Sequence, residues 1–407
     1  MTSHSDDHVN FSDLLGSLNC QQVWESPYLS QESCRDIPSA IYDAVQNPEN
    51  FPPIQAAIVP GDSVALAVDA NLPSVASLVT GAIKAIGQSS AEQLRVIVSD
   101  EATDATIREI KQEIGPDIPV LRHTPSDRES LRYLGADEFA DPIYLNRHLV
   151  DADFVLPIAP RRREDAAGNH DLTGIFPSFA DSRSRLRHLD QSNREPSTAS
   201  GESFDCKQPA VLLGTQVMIC VDVNQGGAVG KVIAGTPHSL EIRPTNPKPA
   251  PFSAPLVIAS LDGNQQQQTW ENVARALNNA SQHVEPGGTI VIWSAIDEPP
   301  SNAMIKTNTH GDEETSLEEA SVANPPEEDP SEEDGGDQEF PHWNNQTTAA
   351  RVLNRVSAEH RILLRANISP SLIETMGLGV VSNEAELARL SSGFEGCGVL
   401  RAAQFSS

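Results

Sequence analysis

Hydrophobic residues recur along this chain in two alternating patterns, short apolar runs and stretches with helical spacing. The run Ser63–Val68 has the length and composition of a buried strand, and apolar positions from Val75 to Ile86 then follow at helical spacing. A second pair follows directly, with a strand predicted at Leu94–Val98 and a helix near Ala105–Ile114. Repeated strand–helix units predict a mainly parallel sheet with helices on both faces.

The second half of the chain repeats this alternation. Val211–Asp222 and Lys231–Ala234 flank a glycine-rich turn and predict a hairpin that opens this half. A helix at 270–284 ends at a Pro-Gly-Gly sequence and leads into a buried strand, Thr289–Trp293. The further predicted elements are strands at Pro119–Leu121, Phe154–Ile158, Leu256–Ala259 and Ile362–Arg365, and helices at Thr347–Glu359, Pro370–Met376 and Glu384–Leu390.

These patterns predict an α/β protein of two domains, each a mainly parallel sheet flanked by helices, with a cleft between the domains. Residues 1–50 are polar and irregular, residues 51–190 form the first domain, and residues 191–407 form the second. The Ser/Arg/Asp-rich stretch 181–205 is expected to join the halves. Ligands are expected at the carboxyl ends of the parallel strands, where Asp69 and Asp100 fall.

The charge of the chain is concentrated in one segment. The formal net charge is −29, and residues 297–339 hold fifteen acids against Lys306, so this segment carries 1 − 15 = −14. Its composition predicts a disordered insertion within the second domain, because it offers little apolar surface to offset the entropy of ordering. An acidic chain argues against nucleic-acid or anionic-membrane binding, since phosphate contacts need a basic surface.

The five cysteines and the absence of long apolar segments indicate a cytoplasmic protein. Cys20, Cys34, Cys206, Cys220 and Cys397 are scattered and show no metal-binding spacing, so we expect reduced and mostly buried thiols. The first residues resemble no signal peptide, and no apolar run is long enough to span a bilayer.

No lysine lies between Lys111 and Lys207, and this part of the chain contains two histidines beside a Gly/Pro/Phe-rich loop. His170 and His188 flank the loop Gly174–Phe179. Histidine suits proton transfer near neutral pH and metal binding. The alternative is that both are ordinary surface histidines.

Two further motifs have competing interpretations. The cluster Arg161–Arg163 either binds the carboxylate or phosphate of a ligand or forms a solvated turn paired with neighbouring acids. The glycine-rich Gly226–Lys231 has the wrong spacing for a phosphate-binding loop, and Val232 stands where a Ser or Thr is required. A hairpin turn is the better interpretation.

The order and spacing of these motifs over residues 50–403 resemble the nickel-pincer lactate racemase (LarA-like) family. The segments that carry the resemblance are Val68–Pro73, like the family's Asp-x-Thr-Arg-Pro; Leu94–Val98, before its catalytic-histidine loop; Tyr144–Asp153; His170–Gly174, like the start of its cofactor loop; and the helix at 270–284 with Gly287–Ile290.

The resemblance implies a nickel-pincer nucleotide that takes a hydride from the α-carbon of a 2-hydroxy acid while two histidines exchange the hydroxyl proton. Carried over by position, it implies His170 as acid/base, His188 as nickel ligand, Asp69 and Asn71 as cofactor-binding residues, and Arg275 with Asn272 as substrate-binding residues.

The chain departs from the family pattern at several positions. Leu72 replaces the arginine next to the proline, and the place of the first catalytic histidine falls near Thr103. The loop after Gly174 is shortened to Ile175–Pro177, so the lysine that tethers the pincer is missing.

Two functions are therefore open. One is a divergent racemase or epimerase of a 2-hydroxy acid, with His170, His188 and Arg275 in the family roles. The other is a non-catalytic binding or regulatory homologue that recognises a small carboxylate or phosphate ligand through Arg275 and Arg161–Arg163.

Overall fold

The computed structural model describes residues 18, 32–87, 89, 91–137, 139–161, 171–192, 207–241, 253–306 and 340–405. These residues form two compact units. The N-terminal unit contains the described residues from 32 to 241 together with 340–348, and the C-terminal unit contains 253–306 and 349–405.

The N-terminal unit alternates strands and helices over most of its length. Its elements are α1 (Ile37–Gln46), α2 (Ile54–Ala57), β1 (Ser63–Val68), α3 (Val75–Ile86), β2 (Gln93–Val98), α4 (Asp104–Ile114), β3 (Val120–Arg122), β4 (Leu131–Ala136), β5 (Pro142–Asn146), α5 (Arg147–Val150), β6 (Phe154–Pro160), α6 (Ser182–Ser192), α7 (Gln208–Leu212), β7 (Met218–Val223), β8 (Val229–Gly235) and α8 (Pro237–Glu241).

The main sheet of this unit has the strand order β3-β2-β1-β6-β7-β8. All neighbouring strands are parallel except β8, which runs antiparallel to β7. Strand β1 is central, and its residues from Val64 to Val68 are buried because the sheet is covered on both faces. The predicted parallel α/β fold is therefore confirmed, and the predicted β1 bounds match the strand.

Residues 1–50 were predicted to be irregular, but they contain helix α1. Ile41 and Val45 on α1 are buried in the same apolar cluster as β1. The helix packs tightly on α3, since a Cβ atom at Gly81 would lie 2.9 Å from both Ile41 Cβ and Pro38 Cα. Polar residues such as Asp36, whose side chain caps α1, obscure this amphipathic pattern in the sequence.

The hairpin of β7 and β8 belongs to the first sheet and does not open a second domain. Ile158 of β6 pairs with Ile219 of β7, so the hairpin extends the N-terminal sheet. The boundary predicted at residue 190 therefore falls inside this unit, which continues to about residue 245. Likewise, the stretch expected to join the halves begins with helix α6, and its residues 193–205 lie outside the described part of the chain.

The C-terminal unit holds the second sheet. Its elements are β9 (Ala254–Ser260), α9 (Trp270–Ser281), β10 (Val284–Trp293), α10 (Asn302–Lys306), α11 (Gln346–Glu359, whose first turn lies in the N-terminal unit), β11 (Arg361–Arg365), α12 (Pro370–Thr375), β12 (Gly379–Val380), α13 (Glu384–Ser391) and β13 (Cys397–Leu400).

This second sheet has the order β12-β11-β10-β9-β13 and is parallel throughout. Helix α9 covers one face with the fully buried side chains of Trp270 and Leu277. Thr269 caps α9 by accepting a hydrogen bond from the backbone of Asn272, which explains where the helix begins.

The acidic insertion was predicted over 297–339, yet Met304 is buried in this core. Residues 307–339 lie outside the described residues.

Cysteine chemistry differs in part from the prediction of reduced thiols. Cys34 and Cys220 are free, but Cys397 in β13 is disulfide-bonded. Within the described parts of the chain, no helix is long and apolar enough to cross a membrane.

Candidate functional site

The carboxyl ends of β1 and β2 form the floor of the candidate site in the N-terminal unit. Asp69 follows β1, is 3% exposed, and accepts a hydrogen bond of 2.8 Å from the backbone of Asn71. The hydroxyl of Ser99, after β2, accepts a 3.0 Å hydrogen bond from the backbone of Ala70. These bonds fix two of the predicted site residues, Asp69 and Asn71, in one turn at the strand ends.

Asp100 at the end of β2 forms a bidentate ion pair with Arg185 of α6. Arg185 Nη1 lies 2.7 Å from Asp100 Oδ2, and Arg185 Nη2 lies 2.9 Å from Asp100 Oδ1. Both side chains are 7% exposed. Arg185 also donates to the backbone carbonyls of Ala180 and Ser178, so its guanidinium is held on several sides.

Thr103, near which the resemblance expects a first catalytic histidine, caps a helix. Thr103 Oγ1 accepts a hydrogen bond of 3.1 Å from the backbone of Thr106 at the start of α4. This interaction satisfies one of the free N–H groups at the helix terminus. The residue therefore has a structural role in this position.

Residues 340–345 form a strap, and they cover the Asp100–Arg185 pair. The guanidinium of Arg185 stacks against the ring of Trp343 at 5.1 Å, and Asn345 Nδ2 donates a 3.0 Å bond to the backbone carbonyl of Asp100. Ser126 fixes the strap from below, because its hydroxyl accepts from Trp343 N and donates to Pro341 O, both at 2.9 Å. The strand end is thus closed by internal contacts.

A buried histidine that sequence reasoning missed lies beside this pair. His123 follows β3 and is 1% exposed, with Nδ1 3.2 Å from Asn146 Nδ2 and Nε2 3.0 Å from the carbonyl of Ala180. Burial, and then the neighbouring Arg185, lowers the pKa of His123 to about 4, while Asp100 and the Ala180 carbonyl act in the opposite direction. His123 is therefore neutral near pH 7 and bonded through both ring nitrogens.

The loop from 171 to 181, which contains Ile175–Pro177, is closed by two carboxylates. Asp171 accepts hydrogen bonds from the backbone of Thr173 at 2.9 Å and of Phe176 at 2.7 Å. Asp181, which is 1% exposed, accepts a 3.0 Å bond from the backbone of Ser184 at the start of α6. Ile175 and Phe176 are buried in an apolar cluster. The loop is a packed element of the core.

The two predicted histidines have different outcomes. His188 lies on α6, three residues after Arg185, and its ring meets Phe176 edge-on with 5.3 Å between centroids. His170 lies outside the described residues. Among the side chains that are described, no group of three or more His, Cys, Asp or Glu is placed to hold a metal ion.

The described residues of the basic cluster and of the glycine-rich turn make contacts within the protein. Arg161 Nε forms an ion pair with Asp222 Oδ1, which fits the interpretation of a turn paired with neighbouring acids. Arg162 and Arg163 lie outside the described residues. The turn between β7 and β8 is closed by Asn224 Oδ1, which accepts from the backbone of Gly226 at 2.9 Å. The hairpin interpretation is confirmed.

The predicted substrate residues Asn272 and Arg275 are brought together on α9 of the C-terminal unit. Arg275 Nη1 donates a 2.8 Å hydrogen bond to Asn272 Oδ1, and Asn272 Nδ2 donates a 2.8 Å bond to the carbonyl of Gln267. Asn272 is 2% exposed, whereas Arg275 is half-buried. The asparagine therefore holds the guanidinium of Arg275 in a defined orientation.

Comparison with known proteins agrees with the α/β fold. Residues 17–159 match the family model described as the lactate racemase N-terminal domain. This part of the chain therefore resembles the N-terminal domain of lactate racemases. The lactate racemase apoprotein from Thermoanaerobacterium thermosaccharolyticum has a similar fold, with a TM-score of 0.67, 14% identity, and coverage of 95% of this chain and 94% of that one.

A second solved structure shows a more distant similarity to this chain. A Thermotoga maritima protein aligns with a TM-score of 0.54 and 11% identity, over 87% of this chain and 93% of that protein. No curated protein matches the sequence.

The residues of this chain do not fit a lysine-tethered pincer cofactor. The chain has no lysine between Lys111 and Lys207, and the shortened loop directs Ile175 and Phe176 into the core. Sequence reasoning also missed Arg185, His123, Trp343 and Asn345. The sequence feature that could have drawn attention to Arg185 is that the stretch from Lys111 to Lys207 contains arginines but no lysine.

Proposed function

We propose that this lactate racemase-like protein is a non-catalytic homologue that binds a small carboxylate or phosphate ligand. The observation that carries the proposal is the bidentate Asp100–Arg185 pair under Trp343. It lies at the strand end after which the family resemblance expects a catalytic histidine. A guanidinium remains protonated under all ordinary conditions, so Arg185 offers no group for proton exchange.

The side chains at the described strand ends that could exchange protons support the same conclusion. Thr103 caps a helix, and His123 is buried with both ring nitrogens engaged. A general base needs access to the proton that it removes and a pKa near the working pH. His123 meets neither condition, since burial lowers its pKa to about 4.

The cofactor side of the reaction also lacks its attachment point. A tethered pincer requires a lysine in the loop after Gly174, and that loop here contains Ile175, Phe176 and Pro177. Asp171 fixes the loop through the backbone of Thr173 and Phe176. We infer that the loop serves packing in place of cofactor attachment.

Arg275 supports the ligand-binding part of the proposal. Its guanidinium is half-buried and oriented by Asn272, and a planar guanidinium suits a carboxylate or phosphate. Arg275 is also a residue to which the resemblance assigns substrate binding. The expected ligand is therefore a 2-hydroxy acid or an anion of similar size.

A divergent racemase with a noncovalently held pincer is the second candidate. The position of His188 favours it, because the ring of this histidine packs against Phe176 of the shortened loop. In this reading His170 supplies the acid/base group, His188 binds the metal, and Asp69 with Asn71 contacts the cofactor. When bound, the cofactor would supply the hydride acceptor for the α-carbon.

The deciding experiment is native mass spectrometry with metal analysis on protein produced together with the pincer-synthesis enzymes. We expect no stoichiometric nickel and no organic adduct, and no interconversion of D-lactate and L-lactate in a chiral assay. Nickel with an adduct mass and racemase activity would overturn the proposal in favour of the second candidate.

Ligand binding is tested separately by calorimetry with lactate and inorganic phosphate. Arg275→Gln is expected to weaken binding about tenfold, as for the loss of a charged hydrogen-bonding partner. His170→Ala and His188→Ala should leave binding nearly unchanged. Arg389→Gln, an exposed position on α13, is the matched control. Absence of binding by either anion would contradict the binding part alone.

A further inference from the structure

The second sheet has a topological switch point between β9 and β13, and the proposed function does not use it. The chain proceeds from β9 outward through β10 and β11 to β12, and then returns to place β13 on the other side of β9. In open parallel sheets, the loops after the two strands at such a reversal diverge, and ligands bind between them at the carboxyl ends. Here these are the loops after β9 and β13.

A row of polar side chains crosses the carboxyl edge of this sheet. Arg365, Trp293 and Ser260 are direct neighbours in the registers of β11, β10 and β9. Because laterally paired residues of a sheet share a face, their side chains project on the same side. The guanidinium of Arg365 lies 5.6 Å from the centre of the Trp293 ring, consistent with this placement.

Arg401 extends the row to β13. It follows Leu400, which pairs with Ala259, and it lies close enough to Asp262 for their charges to interact. It alternates with Val399, which lies in the same apolar cluster as Trp293. The row therefore begins and ends with a guanidinium, and both arginines are half-buried.

Two buried polar atoms between these arginines are not satisfied. Trp293 is 4% exposed, and its indole N–H has no acceptor among the described residues. Ser260 is 1% exposed, and its hydroxyl is close enough to lower the pKa of Asp262 but has no partner in hydrogen-bonding geometry. Buried donors without acceptors are uncommon and costly, so each needs an explanation.

The two loops at the switch point are fixed to each other. Asp262 Oδ2, after β9, accepts a 3.2 Å hydrogen bond from the backbone of Ala402, after β13. Ala402 has a φ of +43°, a left-handed conformation that non-glycine residues rarely adopt. Such backbone conformations cluster at ligand-binding sites, where the surrounding structure imposes them.

The charges of the row favour an anion. Arg365 and Arg401 are permanently cationic, and Asp262 is an acid close to Arg401. Burial raises the pKa of Asp262, and the nearby Arg401 acts in the opposite direction. The indole and hydroxyl groups add two neutral donors between the guanidinium groups.

We propose that Arg365, Trp293, Ser260 and Arg401 form a binding site for a small oxyanion at the switch point of the C-terminal sheet. The ligand class is a carboxylate or a phosphate group, which accepts hydrogen bonds from all four side chains. The site does not involve Arg275 or Asn272, and it stands whether or not the protein racemises 2-hydroxy acids.

The test observes the indole N–H of Trp293 directly. Protein labelled with ¹⁵N-tryptophan contains four tryptophans, and Trp293→Phe identifies the signal of Trp293 by its loss. Inorganic phosphate and L-lactate are titrated in separate samples at constant ionic strength. We expect one of the two anions to shift this signal saturably, and the responding anion identifies the ligand class.

Variants establish whether the row is responsible for binding. Arg401→Gln and Arg365→Gln are each expected to weaken the responding anion about tenfold or more. Arg401→Lys should retain part of the affinity because it keeps the charge without the planar fork. Arg361→Gln, at the opposite end of β11 and exposed, is the control and should bind as the parent does.

Three results would overturn the site. These are no shift of the Trp293 signal with either anion, an unchanged affinity in both arginine-to-glutamine variants, and an equal loss in Arg361→Gln. If Arg401→Gln unfolds, Ser260→Ala replaces it, with an expected loss of about threefold to tenfold for one neutral hydrogen bond. Because Arg275 is intact throughout, failure here leaves the proposed function untouched.

Discussion

Asp100 and Arg185, 85 residues apart in the chain, are joined by two parallel hydrogen bonds of 2.7 and 2.9 Å. This pair connects the end of β2 to α6 and supports the ring of Trp343. Its burial makes each charge dependent on the other, because a buried charge without a partner is strongly unfavourable. The strand end at which the family resemblance expects catalysis therefore holds an ion pair that stabilises the fold.

The first prediction concerns this pair. Arg185→Ala is expected to lower the free energy of unfolding by about 3–5 kcal/mol, since Asp100 would be left buried without its counter-charge. Urea unfolding followed by circular dichroism measures the change. The control is Arg122→Ala, whose partner Asp104 is 86% exposed, and it should have no measurable effect. Equal effects in both variants would contradict the structural importance of the buried pair.

The second prediction concerns pH and His123. Its pKa in the folded protein is about 4, below the 6.5 of an unperturbed histidine, so the unfolded chain binds the proton more readily. The contribution of neutral His123 is therefore fully present above about pH 6.5 and is lost as the pH falls toward 4. The total change is about 3 kcal/mol.

The measurement compares the parent with His123→Gln over this pH range. The difference between their unfolding free energies should change between pH 6.5 and 4 and be constant above pH 7. His238→Gln, at an exposed position, is the matched substitution. A difference that does not vary with pH would show that His123 is accessible to protons in the folded state.

A third prediction concerns the shortened loop. Gly174 has a φ of +69°, which an alanine adopts only at a cost, so Gly174→Ala should destabilise the protein by about 1–2 kcal/mol. Gly396→Ala is the control, because that position has no unfavourable φ and nothing within 4 Å of an added Cβ atom. Thermal unfolding of both variants gives the comparison. An unchanged midpoint in Gly174→Ala would indicate a loop of different conformation.

The fourth prediction concerns the strap at 340–345. Ser126→Ala removes the hydroxyl that bonds to both Trp343 N and Pro341 O, each at 2.9 Å. Amide exchange at Trp343 is expected to accelerate about tenfold, as for a loss of about 1.4 kcal/mol. Ser369→Ala, an exposed position that is not part of the strap, is the control. Exchange at Trp343 that does not respond would mean that the strap is held by its aromatic contacts alone.

The fifth prediction separates the buried and the acidic parts of the predicted insertion. Met304→Ala should cost about 2–5 kcal/mol because Met304 is fully buried. Replacing residues 307–339 with a Gly/Ser linker of equal length should leave the unfolding midpoint nearly unchanged, which follows from the acidic composition. A large fall in the midpoint would refute the prediction of disorder for that segment.

The fold could be predicted where local pattern and tertiary position agree. Strand Ser63–Val68 is buried on both faces, so its continuous apolar run identifies it without knowledge of its neighbours. The β7–β8 hairpin was recognised but assigned to the wrong domain. Its alternation shows that two strands pair with each other, yet nothing local shows that β7 also pairs with β6.

The site was less predictable than the fold because its contacts are distant in sequence. Asn272 and Arg275 lie one turn apart on a helix, and helical spacing brings them together as expected. By contrast, Asn345 contacts Asp100 across 245 residues, and no periodicity encodes that meeting. Helix α6 was overlooked because its polar sequence resembles a linker, although Arg185 is buried by its ion pair.

The antiparallel edge strand β8 of the first sheet limits where the chain can be cut into fragments. A fragment ending near residue 190 would remove β7 and β8 and leave the backbone N–H and C=O groups of β6 exposed along its outer side. Such an edge is a template for association with other chains. Expression of the first half alone should therefore extend past Glu241, and shorter fragments are expected to precipitate.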